Sequence, residues 1–90
     1  MSAKLLKRHH EAESHPSGER VVVFHQTTKN SIVLNPTGSW LWEQLDEPRS
    51  RDWLLDQMVE RHQDVERETL EKDLDVYLKE LTANGLIVES

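Results

Sequence analysis

The stretch SIVLNPTGSWLWEQL, residues 31–45, changes character at a single residue and so decides the architecture. Ser31 to Leu34 is mostly β-branched and apolar, which suits a pleated, half-buried strand. Asn35 and Pro36 then bring helix chemistry. An Asn side-chain oxygen can accept from the free N–H groups of a first turn, and Pro at the first helical position gives up an N–H that has no partner there. The spacing predicts a helix whose Trp40, Leu41 and Leu45 share one face, with Trp42 displaced toward a flank and Gly38 weakening the first turn.

Working toward the N-terminus, TTKN at residues 27–30 is turn material, and RVVVFHQ from Arg20 to Gln26 is a second β-branched run. The two runs are expected to pair as an antiparallel hairpin. Glu11 to Glu19 holds Ser, Pro and Gly and is expected to be a turn or mobile loop, while residues 5–9 are weakly strand-like.

Working toward the C-terminus, Pro48 stops the first helix and Ser50 is placed to cap a second, with Trp53, Leu54 and Met58 on its apolar face, flanked by Leu55 and Val59. That helix is expected to end near His62. Asp64 is the expected cap of a third helix, whose stripe of Leu70, Leu74, Tyr77, Leu78 and Leu81 recurs at helical spacing until Asn84-Gly85. The closing LIV either adds a short strand or packs. The order implies an α+β fold: an N-terminal three-stranded antiparallel sheet packed on a three-helix, winged-helix-like bundle, in one domain over residues 1–90 with 1–19 partly mobile.

Composition narrows the function. The net charge is −6, and residues 64–84 carry seven acids against three bases, so the helix that would enter a DNA groove in a winged-helix regulator would be repelled by phosphate. Nucleic acid is not an expected partner, although a winged-helix DNA-binding regulator is the alternative reading of the fold. No apolar run suits a membrane span or a secretory signal, and zero Cys is compatible with a reducing compartment, so a cytoplasmic location without membrane attachment is expected. His9, His10, His15 and His25 invite a metal reading. Three of them fall in the segment expected to be loose, with no acid at fixed helical spacing, and no metal role, cofactor or catalytic constellation is expected.

What remains is backbone. If the strands lie side by side in chain order, Ser31 to Leu34 is paired on one side only, and its other row of N–H and C=O groups can template an incoming strand. It carries neither the charge nor the proline that usually blunts such an edge. A terminal segment or a second copy covering that edge is the competing reading. On the third helix, Glu71, Asp75 and Thr82 form a polar flank, while the opposite flank of Thr69, Asp73, Val76 and Glu80 holds one apolar residue that can line a groove beside Tyr77.

The run LNPTGSWLWEQLD (34–46) together with DLDVYLKELTANGLI (73–87) resembles the PqqD-like family of recognition elements for ribosomally synthesised, post-translationally modified peptides, over about residues 20–88. The resemblance implies a non-catalytic adaptor that binds the leader segment of a precursor peptide between the third strand and the third helix. Ser31, Ile32, Val33 and Leu34 would supply the backbone ladder, and Asp73, Val76, Tyr77 and Glu80 the groove wall. It further implies a peptide-modifying enzyme as partner, such as a radical enzyme, protease or cyclase, with the adaptor a monomer or weak dimer. DEPRS replaces the Gly-containing turn expected after the first helix, and the long polar loop before Arg20 departs from the branch serving pyrroloquinoline quinone synthesis, so lasso-peptide maturation is an equal candidate pathway.

Overall fold

A computed structural model describes residues 4–89; residues 1–3 and 90 of the expected domain lie outside the description. Its elements run β1 (Leu5–Arg8), β2 (Ala12–Ser17), β3 (Arg20–His25), β4 (Ser31–Leu34), α1 (Pro36–Gln44), β5 (Arg49–Ser50), α2 (Arg51–Arg61), α3 (Arg67–Ala83) and β6 (Ile87–Glu89). The α+β class and the three-helix bundle stand as read from the sequence. Two antiparallel sheets replace one: β2-β3-β4 and β5-β1-β6.

The segment expected to be a loop is instead a strand. Ala12 to Ser17 pairs with β3 along its whole length, from Ala12 opposite His25 to Ser17 opposite Arg20. Gly18, at φ +65°, and Glu19 form the two-residue hairpin turn between them. Pro16 is tolerated because β2 is an outer strand. Gln26 N–H donates to Glu11 O, which sets the ladder's alternation and turns the Pro16 nitrogen away from β3. The weak strand near residue 5 does form, but it pairs with β5 and β6 and not with the hairpin.

The helix starts follow local chemistry in two cases of three. Asn35 accepts from Gly38 N at the head of α1, with Pro36 at its first position, and Ser50 accepts from Trp53 N at the head of α2. For α3 the expected Asp64 cap is displaced. Val65 packs against the core and its N–H closes a turn on His62 O, so the helix begins at Arg67 with Glu66 in the cap position and no side-chain cap.

The core gathers Val23 and Leu34 from the hairpin, Leu41 and Trp42 from α1 with Leu45 from its C-cap, Leu54, Leu55 and Met58 from α2, Leu70, Leu74, Leu78 and Leu81 from α3, and Leu86 and Ile87 from the tail. Trp42, expected on a flank, is buried, whereas Trp40 is only partly so. The reason is the second sheet. Arg8 of β1 lays its guanidinium 4.4 Å from the Trp42 ring centre and donates from Nε and Nη2 to the Trp42 carbonyl in the last turn of α1, which also accepts from Leu45 N–H. Burial lowers the Arg8 pKa from its usual value, against the pull of Asp46 and Glu43. Arg49 and Arg61 cover Trp53 and Trp40 in the same way, at 4.1 and 4.7 Å.

Candidate functional site

The hairpin ladder shows which backbone groups face outward. β4 pairs with β3 from Val21 opposite Leu34 to Phe24 opposite Ser31. His25 N–H donates to Asn30 O at 2.9 Å just beyond the last pair. Because bonded and non-bonded pairs alternate in an antiparallel ladder, Ile32 and Leu34 exchange bonds with β3, while Ser31 and Val33 direct N–H and C=O away from it. No other described strand pairs with β4; the tail strand β6 lies against β1 in the other sheet. The edge is open among the described residues.

Side chains alternate on the other axis. Leu34 is buried and Ile32 half-buried, both facing the core, while Ser31 and Val33 are exposed, Val33 at 60%. The four strand residues expected at the site therefore divide. Ser31 and Val33 present free backbone, and Ile32 and Leu34 anchor the strand that presents it.

Tyr77 joins α3 to this edge. Its hydroxyl donates to Asn35 Oδ1 at 2.7 Å, the same oxygen that accepts from Gly38 N at 2.8 Å. Gly38 makes the approach possible, since a Cβ there would sit 3.0 Å from Tyr77 Cε1 and 3.3 Å from Leu34 Cβ. The Leu34–Gly38 junction and the Tyr77 position, separate motifs in the sequence, are thus one contact. At 100° per residue, Asp73 and Glu80 fall on the Tyr77 side of α3, with Val76 next toward solvent. Asp73, Val76 and Glu80 are exposed, Val76 at 56%. Sequence reasoning did not assign Asn35 and Gly38 to the site; the clue was a glycine one turn into a helix, which propensity alone disfavours.

The far flank of α3 differs. Arg51 Nε and Nη2 grip Asp75 at 2.7 and 3.0 Å, and Nη2 also reaches Glu71 at 3.4 Å. The hydrogen bonds that Arg51 donates to Asp75 hold that carboxyl below its usual pKa and raise the pKa of Arg51 itself. A cavity of about 500 Å³ opens on this side between β1, β6 and α3, lined by Leu6, Leu78, Lys79 and Thr82 among others. It lies on the flank away from the β4 edge.

The histidines cluster in a way the sequence did not suggest. His9, Glu11 and His25 bring one ligand-type atom each within 4.8 Å of the others. The hydrogen bonds give this group a structural task. His9 Nδ1 accepts from Glu11 N, and His25 Nδ1 accepts from Thr27 N and Thr28 N. In each neutral ring the proton therefore sits on Nε2, so no ring nitrogen keeps a free lone pair for a cation. His25 Nε2 instead faces Glu11 Oε2 at 3.5 Å, locking the β1–β2 turn to the β3–β4 turn.

Comparison with known proteins gives a family and a similar fold. The family described as Coenzyme PQQ synthesis protein D (PqqD) matches residues 20–87. Among solved structures, one described as TbiB1 in complex with the TbiA(beta) leader peptide superposes with a TM-score of 0.79 at 27% identity, over 90% of this chain and 93% of that one. No curated protein matches. No helix among the described residues is long and apolar enough to cross a membrane. With about three quarters of its length matched, from β3 to β6, the chain belongs to the PqqD family.

Proposed function

We propose that this protein is a non-catalytic adaptor that binds the leader segment of a ribosomally made precursor peptide by strand addition to β4 and presents it to separate modifying enzymes. The observation that carries the reading is the open β4 edge, on a fold shared with a chain whose structure was solved with a leader peptide. In this mechanism Ser31 and Val33 each offer an outward N–H and C=O to the incoming strand, and Ile32 and Leu34 hold β4 in register. Val76 and Tyr77 supply the apolar wall on α3, with Asp73 and Glu80 beside them. Main-chain bonds give the affinity, and the wall selects alternate side chains. The enzyme gains by effective concentration, because a leader held on an adaptor keeps its core segment nearby. The adaptor itself acts as a monomer or weak dimer in one domain, since a second copy on β4 would displace the leader.

Titrating isotope-labelled protein with the precursor peptide encoded beside its gene tests this. Shift changes concentrated at residues 31–34 and on the Tyr77 flank of α3 support it. Changes confined to the cavity between β1, β6 and α3, or none with that precursor, contradict it.

A further inference from the structure

The two flanks of α3 treat their acids differently. On the α2 side, Glu71 and Asp75 are both paired with Arg51. On the Tyr77 side, Asp73 and Glu80 are exposed, and neither carboxylate has an ion-pair partner among the described residues. Seven residues apart, they lie nearly in line along the helix, about 10 Å from one another at 1.5 Å rise per residue. Glu66, a further seven residues back at the helix cap, continues the row. Helix α3 does carry cations, but they sit elsewhere. Lys79 lines the cavity on the far flank, Arg67 pairs with Asp56, and Lys72 projects from the solvent crest. Arg20 and Lys29 stand at the two ends of the β3–β4 hairpin and not on the helix.

An extended peptide on β4 would therefore lie between Val33 and the near flank of α3, where the uncompensated carboxylates run beside Tyr77 and Val76. From this we infer that the segment captured by β4 is basic as well as apolar, carrying Lys or Arg side chains that reach Asp73 and Glu80. This rests on the strand-capture reading and specifies its ligand class. An acidic leader would bring like charges together along the wall, whereas a basic one gains an attraction that salt weakens.

The test is selection from a displayed library of random peptides about ten residues long, enough to span the edge and both acids at about 3.3 Å per residue. Selected against the full chain, the enriched pool should gain Lys and Arg over the input and show alternating apolar positions. Against an Asp73→Asn, Glu80→Gln double variant the basic gain should disappear while the apolar alternation stays. For a peptide from the first pool, that variant should weaken binding by about two- to thirtyfold, the range for two exposed ion pairs, and added salt should narrow the difference. A pool that is neutral or acidic, yet weakened by Val33→Pro, overturns the charge inference and leaves strand capture standing. Enriched peptides indifferent to Val33→Pro overturn strand capture itself, and a library that never enriches counts against both.

Discussion

Replacing Val33 by proline probes the open edge at one atom. The alternation fixed by the His25–Asn30 bond turns the Val33 N–H outward, so the substitution removes no bond from the β3–β4 ladder. Outer strands accept proline where the missing N–H faces solvent, and the side chain lost is 60% exposed, so stability should stay within about 1 kcal/mol of wild type. An incoming strand, by contrast, loses one donor. A backbone hydrogen bond contributes about 0.5–1.5 kcal/mol net, and 1.4 kcal/mol is tenfold in Kd, so affinity should fall about two- to thirteenfold from the donor alone, and further because the ring crowds the approaching carbonyl. Ile32→Pro is the matched control. It deletes an inward N–H, leaves the Val23 carbonyl unpaired at about 1–3 kcal/mol, and removes a side chain packed on the core. Fluorescence anisotropy with a labelled leader peptide, run beside urea unfolding, separates the two effects. The reasoning is refuted if Val33→Pro unfolds as readily as Ile32→Pro, or if it stays folded and binds with unchanged Kd.

Gly38→Ala should push Tyr77 out of its seat: overpacking costs about 1–3 kcal/mol and the gain in helix propensity returns about 1, so the unfolding free energy should fall by a net of up to about 2 kcal/mol, read as a lower urea midpoint with the slope unchanged. Tyr77→Phe removes the bond to Asn35 while keeping the ring; because that bond is exposed, stability should fall by less than about 1 kcal/mol, with leader affinity falling more than Gly38-distant surface changes cause. For Asp75, whose folded pKa is depressed by Arg51, the stabilisation is present above the unfolded carboxylate range and lost as pH falls through the folded value. Asp75→Asn should therefore be less stable than wild type at neutral pH, by under about 1 kcal/mol for so exposed a pair, and equal to it in strong acid when both are melted across pH.

Local chemistry made much of this fold legible. Asn35-Pro36 and Ser50 announce helix starts through bonds made within three residues, and the α3 stripe repeats over three turns and more. Nonlocal pairing was hidden. β2 reads Ala-Glu-Ser-His-Pro-Ser and is exposed at five of six positions, so it carries no apolar alternation, and only its partner β3 makes it a strand. β1 meets β6 across about eighty residues, a contact no window of sequence contains. The burial of Trp42 follows from that same sheet, through Arg8. At the site, the bare edge was readable from the composition of SIVL. The Tyr77–Asn35–Gly38 contact was not, because it depends on how closely two helices approach, and the His9–Glu11–His25 group was not, because it forms only where the β1–β2 turn meets the end of β3.

Amide hydrogen exchange resolved at single residues within β4 examines the free edge most directly. Without peptide, the Ile32 and Leu34 amides should be protected while those of Ser31 and Val33 exchange rapidly; adding the leader peptide should slow the latter pair and leave the former unchanged. Slow exchange at Ser31 and Val33 before any peptide is added, or exchange there that a saturating leader does not alter, would contradict capture by strand addition.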